Sequence, residues 1–171
     1  MPAPTSFYGL SKAVGEDYIR LYSRCFGLKH IIFRFANVYG ERQGETGEGG
    51  VISVFARKIA QHEPVTVFGD GNQTRDFVYA GDIARAMSLG VGYNGCATLN
   101  VSTNEEVSLN QLIGVMEKIL GHKMDVHYGT GAAGRHLRFR TEPQGLVETL
   151  GMKDYTDLEK GLTGTLAYFQ K

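Results

Sequence analysis

The chain has 171 residues, enough for a real hydrophobic core, and sets 18 lysines and arginines against 18 aspartates and glutamates. Without net charge there is no field to draw it to nucleic acid or to a membrane surface, so neither is an expected partner and a small molecule is. No apolar run reaches membrane-span length, Met1-Pro2-Ala3 opens no signal-like stretch, and Cys25 and Cys96 stand alone, a pattern that suits a reducing cytoplasm.

From Tyr8 to Phe26 the apolar positions Tyr8, Val14, Tyr18, Leu21, Tyr22 and Cys25 recur at helical spacing, and Gly27 ends the run; the pattern predicts a long amphipathic helix. Within it Tyr8 and Lys12 lie four apart on one face, so a phenol and an ammonium can converge. A neighbouring cation favours the phenolate, which lets the tyrosine exchange a proton with a substrate hydroxyl at neutral pH. The same spacing also suits an aromatic ring packed on a lysine stem.

His30 to Ala36, short, aromatic and β-branched, reads as a buried strand. Asn37 to Gly50 holds five glycines and reads as a long loop, a kind that is usually functional in compact domains. Val51 to Gln61 is predicted helical, Val65 to Phe68 a strand, Gly69 to Thr74 a turn, and Arg75 to Tyr79 a strand. Asp82 to Leu89 follows as a short helix with Asp82 as its cap. Leu99 to Val101 reads as a strand. Ser108 and Gln111 form a capping box that opens a helix through Leu120. Val126 to Tyr128 suits another strand, Pro143 to Leu150 a helix, and Thr156 with Glu159 a capping box for a last helix to Phe169. Strands alternating with helices place the chain in the α/β class with some parallel pairing.

Two other patterns carry little chemistry. The five histidines, His30, His62, His122, His127 and His136, show no ligand spacing, so no metal is expected. Gly129 to Gly134 matches G-x-G-x-x-G after a strand, but Arg135 to Arg140 alternates like an extended segment and runs towards Pro143 instead of opening a helix. A glycine loop, and no dinucleotide cradle, is expected there.

Three ordered motifs carry more weight together: Tyr8-Gly9-Leu10-Ser11-Lys12, then Arg34-Phe35-Ala36-Asn37-Val38-Tyr39-Gly40, then Phe68-Gly69-Asp70-Gly71-Asn72-Gln73-Thr74-Arg75-Asp76-Phe77-Val78-Tyr79. With Gly49-Gly50-Val51-Ile52 between them, and Leu150-Gly151-Met152 before Leu158 to Leu162, the chain resembles the extended short-chain dehydrogenase/reductase family over nearly its whole length. The likeness is to NAD-dependent nucleotide-sugar epimerases and dehydratases of the UDP-glucose 4-epimerase type.

The resemblance implies that Tyr8 is the acid/base on the sugar hydroxyl, and that Lys12 holds the nicotinamide ribose and lowers the tyrosine pKa. It implies Phe35 beside the nicotinamide and the Asn37 amide on the sugar-nucleotide diphosphate. Gly50, Val51 and Ile52 would approach the sugar nucleotide through their backbone, and Val67 and Phe68 would border the base. Arg75 would hold the diphosphate, a role that suits the two-pronged geometry of a guanidinium. The residues alone leave other readings open: Asn37 as a turn residue at a strand end, Val67 and Phe68 as core, and Arg75 paired with Asp76 or another acid.

The chain departs from the family's pattern in three places. Phe7 stands where proline commonly precedes the tyrosine, and Ala132-Ala133-Gly134-Arg135 replaces an Arg-x-Gly-Asp pattern that carries a second diphosphate arginine. No strand, glycine loop and helix precedes Tyr8. The expectation is therefore a C-terminal portion of such an enzyme: residues 1–50 as a remnant of the dinucleotide-binding domain, and residues 51–171 mainly the substrate domain, with some segments returning to the Rossmann-type doubly wound sheet. Tight NAD binding and turnover by this portion alone are not expected, and the strand from His30 is expected to have an unpaired apolar edge.

In the complete enzyme the resemblance implies a 4-keto sugar formed as Tyr8 takes the 4-hydroxyl proton and hydride passes to NAD. An epimerase then returns hydride to the other face; a 4,6-dehydratase eliminates water first. A non-catalytic sugar-nucleotide binding module, or a dimerisation module acting through the Tyr8 to Phe26 helix, is the alternative. In the family that helix resembles a homodimer-forming element.

Overall fold

The computed structural model describes residues 4–44, 49–130 and 142–171. The first helix, α1, spans Phe7–Phe26, where Ser6 accepts from the Gly9 N–H at 3.0 Å at one end and Gly27 turns left-handed (φ 68°) at the other. Its apolar stripe buries no residue. What fixes it to the strand behind it is charge: Glu16 of α1 takes both Nε (2.6 Å) and Nη2 (2.7 Å) of Arg34, and Nη2 of Arg20 at 2.6 Å.

The extended run after α1 pairs in two stages. Strand β1 (His30–Phe35) lies parallel to β6 (Cys96–Val101), from His30↔Cys96 to Phe35↔Val101. At Ala36 the chain changes neighbour, because Ala36 N–H donates to Val101 O at 3.0 Å and Asn37 N–H to Asp76 O at 2.8 Å. Strand β2 (Asn37–Tyr39) then runs parallel to β5 (Phe77–Tyr79), with Asn37 opposite Phe77. Strand β3 (Val65–Phe68) pairs in parallel with β8 (Val126–Gly129), and β4 (Thr74–Arg75) antiparallel with β7 (Val107–Ser108).

Two buried clusters form the core. One gathers Tyr39 with Phe55 of α2 (Val51–Ala60), Val65 and Val67 of β3, Met116 of α4 (Leu109–Leu120), and Leu162 and Leu166 of α6 (Leu158–Phe169). The other packs Val78, Leu99 and Val101 under Ile83 and Ala86 of α3 (Ala80–Gly90) and Leu146 of α5 (Gln144–Leu150). The parallel pairing and the interleaved helices are those of an α/β chain. The capping box opens α4, with Ser108 accepting from Gln111 N–H and Gln111 from Ser108 N–H.

Several elements differ from their sequence signals. The strand from His30 is real but mostly open, with only Ile32 buried, because α1 covers it through ion pairs and not through apolar packing. Asn37 to Tyr39 is not loop: parallel pairing with β5 makes it a strand. Arg75 to Tyr79 is broken at Asp76, whose wholly buried carboxylate accepts from Ser102 Oγ, Thr103 N–H (3.1 Å), Thr103 Oγ1 (2.7 Å) and Asn104 N–H (3.2 Å). Asp82 does not cap α3. It lies buried in the first turn and accepts from Thr156 N–H (2.8 Å), Thr156 Oγ1 (3.1 Å) and Arg85 (2.9 Å). Thr156 is thereby drawn away from α6, which Asp157 caps through Glu159 and Lys160 N–H. Beyond Gly129 and Thr130, the glycine-rich pattern to Gly134, the alternation from Arg135 to Arg140 and the departure at Arg135 lie outside the described residues.

Because Asp76 satisfies four donors at once, removing it leaves buried groups without partners. Asp76→Ala is expected to lower stability by about 3 kcal/mol in urea denaturation. A loss within about 0.5 kcal/mol, the range of an ordinary surface change, would contradict this account of the kink.

Candidate functional site

The turn from β2 into α2 and the β4–β5 kink meet at a cavity of about 480 Å³. Asn37 and Val38 form one wall, Gly50, Val51 and Ile52 a second, Arg75 and Phe77 a third, and Gln43 closes the rim. Gly50 caps α2 without a side-chain hydrogen bond, and the first turn carries no acidic residue. The N–H groups of Val51 and Ile52 have no intrahelical partner and the positive end of the helix dipole lies at the cavity, so an anion is favoured there.

Arg75 adds a full charge. It is half-buried, its Nη1 donates to Thr74 O at 2.7 Å, and it has no ion-pair partner among the described residues. Its neighbour Asp76 is committed to Ser102, Thr103 and Asn104 instead. The kink thus separates an acid from a base that are adjacent in the chain. A guanidinium, a carboxamide and free backbone N–H groups around one space form a donor set for phosphate oxygens.

Gln43 had no signal in the sequence pattern. Its Nε2 donates to Val38 O at 2.8 Å, which leaves its Oε1 buried without a partner among the described residues. Such an acceptor has room for one donor, which a ligand hydroxyl or a water can supply.

Five residues singled out in the sequence, Asn37, Gly50, Val51, Ile52 and Arg75, therefore line one cavity; the others lie outside it. Tyr8 is 73% exposed on α1, and Lys12 Nζ stands 5.1 Å from its ring centroid, a cation over an aromatic face. Phe35 is 43% exposed at the end of β1, stacked on Phe33 at 6.2 Å. Val67 is 1% exposed and belongs to the core, whereas Phe68, next to it, is 63% exposed. Pleat alternation separates the two.

Glu16 and Arg34, which tie the Tyr8 helix to the strand leading into Asn37, were also not singled out. Glu16 to Arg20 is a readable i,i+4 pair, but the long-range partner is not readable from spacing. The Arg34 guanidinium holds the Glu16 carboxyl below its usual range, against an opposing push from burial, and Arg20 adds to the lowering.

A model of the NAD-dependent epimerase/dehydratase family matches residues 1–93. A putative UDP-glucose 4-epimerase of Methanocaldococcus jannaschii is 42% identical over 159 residues, covering 93% of this chain and 52% of that protein. Among solved structures, the UDP-glucose 4-epimerase of Thermotoga maritima with UDP-glucose superposes with a TM-score of 0.92 at 34% identity, over 99% of this chain and 55% of that one. The Thermus thermophilus UDP-glucose 4-epimerase complex with NAD gives 0.87 at 31% identity, over 98% and 55%. The chain spans about half the length of these relatives.

A carboxylate with a depressed pKa stabilises the fold above its unfolded value and loses that contribution as pH falls through the folded one. Glu16→Gln is therefore expected to be less stable than wild type at neutral pH, with the gap in urea midpoints closing as pH drops below the usual glutamate value of 4.5. A gap that persists unchanged at pH about 2 would contradict the ion-pair account.

Proposed function

Because this chain belongs to the NAD-dependent epimerase/dehydratase family, we propose that it carries the nucleotide-sugar site and the acid/base pair of a UDP-sugar 4-epimerase. The observation that carries the proposal is the convergence of Asn37, the N-terminus of α2 and Arg75 on one cavity. In it Arg75 and the Val51 and Ile52 N–H groups take the diphosphate oxygens, and the Asn37 amide adds a donor. Phe68, exposed at the end of β3, offers a flat apolar face to the base, and Val67 backs it from the core.

Tyr8 serves as the proton acceptor for the sugar 4-hydroxyl. Its neighbour Lys12 sets an ammonium over the ring face, and that ammonium can donate to a ribose hydroxyl. Both stand on an open helix face, and Phe35 is half-exposed, so these three groups fit the nicotinamide end of NAD. The fit is to that end alone, since the helix N-terminus at Gly50 lines the Asn37–Arg75 cavity. When bound, NAD supplies reversible hydride transfer at the sugar C4. Residues 1–50 are then the cofactor side of the enzyme and residues 51–171 mainly the substrate side. The whole stripe of α1, exposed from Phe7 to Phe26, suits pairing with the same helix of a second copy. It also favours the second reading, a binding or dimerisation module without redox chemistry of its own.

Titration calorimetry tests the site. UDP is expected to bind, Arg75→Ala to weaken it at least about tenfold, and Tyr8→Phe to leave it within about twofold. Absence of UDP heat from the wild-type chain would contradict the site. With NAD-loaded enzyme of family length, Tyr8→Phe is expected to remove most conversion between UDP-sugar epimers, and undiminished turnover would contradict its role.

A further inference from the structure

Tyr39 and Tyr79 are register partners at the end of the β2–β5 pair. Past Tyr39 the chain turns through Gly40, Glu41, Arg42 and Gln43 to Gly44, with Arg42 (φ 65°) and Gly44 (φ 76°) left-handed. A turn of that kind has no ladder to hold it, and here side chains do so. The Tyr79 hydroxyl donates to the Glu41 carboxylate, 2.9 Å from each oxygen. Arg57 of α2 donates to Gly44 O, and Gln43 to Val38 O.

The Glu41 anchor is unusual in its surroundings. It has no ion-pair partner among the described residues, and α6 closes on it so tightly that a Cβ at Gly164 would stand 2.8 Å from Oε1. A carboxylate there accepts the phenol as its specific partner, and burial together with that hydrogen bond raises the Tyr79 pKa. Two residues on, Gln43 sits in the cavity wall with its amide oxygen buried and without a partner among the described residues. An amide oxygen only accepts, so it is unsuited to phosphate and suited to a hydroxyl.

We infer that Glu41 and Tyr79 are positioning residues that hold Gln43 for a hydroxyl of the sugar, leaving the nucleotide diphosphate to Asn37, the α2 N-terminus and Arg75. The inference rests on reading the cavity as a nucleotide-sugar site. It divides the ligand between two sets of groups, and the division is measurable.

Calorimetry with UDP and, separately, UDP-glucose on wild type, Tyr79→Phe, Glu41→Ala and the double variant tests it. Each single change is expected to weaken UDP-glucose about tenfold while UDP stays within about twofold, and the double change to be no worse than either. Glu41→Gln, whose amide oxygen still accepts the phenol, is expected to recover most of the affinity. Unchanged UDP-glucose affinity in the single variants, or equal losses for both ligands, would overturn the inference while the UDP site stands. A wild-type chain that binds neither ligand would overturn the site and the inference together.

Discussion

A buried carboxylate must be satisfied by hydrogen bonds where it has no ion pair, and Asp76, with none among the described residues, meets that requirement with four donors from residues 102–104. Its backbone carbonyl meanwhile receives the Asn37 N–H. One residue thus locks the β6–β7 connection, the start of β2 and the break between β4 and β5. The register that follows puts Asn37 opposite Phe77, two positions after Arg75. Without that break a single strand would carry Arg75 and Phe77 on one face of a continuous ladder. With it, Arg75 enters its own short pairing with Val107 and lines the cavity with Asn37.

The two halves of the proposed chemistry are supported by different kinds of force. The proposed diphosphate site is walled by core elements: Ile52 and Phe77 belong to the same buried cluster as Phe55 and Met116. The Tyr8 helix buries nothing and relies on Glu16, Arg34 and Arg20. A core resists displacement because it is close-packed, whereas an ion pair between partly exposed groups is screened and yields more readily. The proposed substrate site is therefore the stiffer part of this chain, and the proposed acid/base pair stands on the softer one. Burial of the α1 stripe against another surface would stiffen it.

Local signals in the sequence match the structure where the determining partners are near in the chain. The span of α1, its stop at Gly27 and the Ser108–Gln111 capping box depend on neighbours within four residues. Signals failed where a distant partner decided. Asp82 and Thr156 each have the chemistry of a cap, yet they bond to each other across 74 positions and leave the capping of α6 to Asp157. Asn37 to Tyr39 has the composition of a loop entrance, and only the presence of β5 makes it a strand. Of the candidate site, Asn37 and Arg75 stand in ordered motifs, while Gln43 and Glu41 carry no such signal, because a turn whose geometry no periodicity encodes places them.

The central claim is that nucleotide diphosphate is held where Asn37, the N-terminus of α2 and Arg75 meet. A titration of the ¹⁵N-labelled chain with UDP, followed by two-dimensional NMR, locates binding residue by residue. The account predicts the largest shifts at the Val51 and Ile52 amides, the Asn37 side-chain amide and the Arg75 Nε–H, with the α1 amides little changed. Shifts centred on α1 or on the α4–β8 surface, with those four signals unmoved, would contradict it.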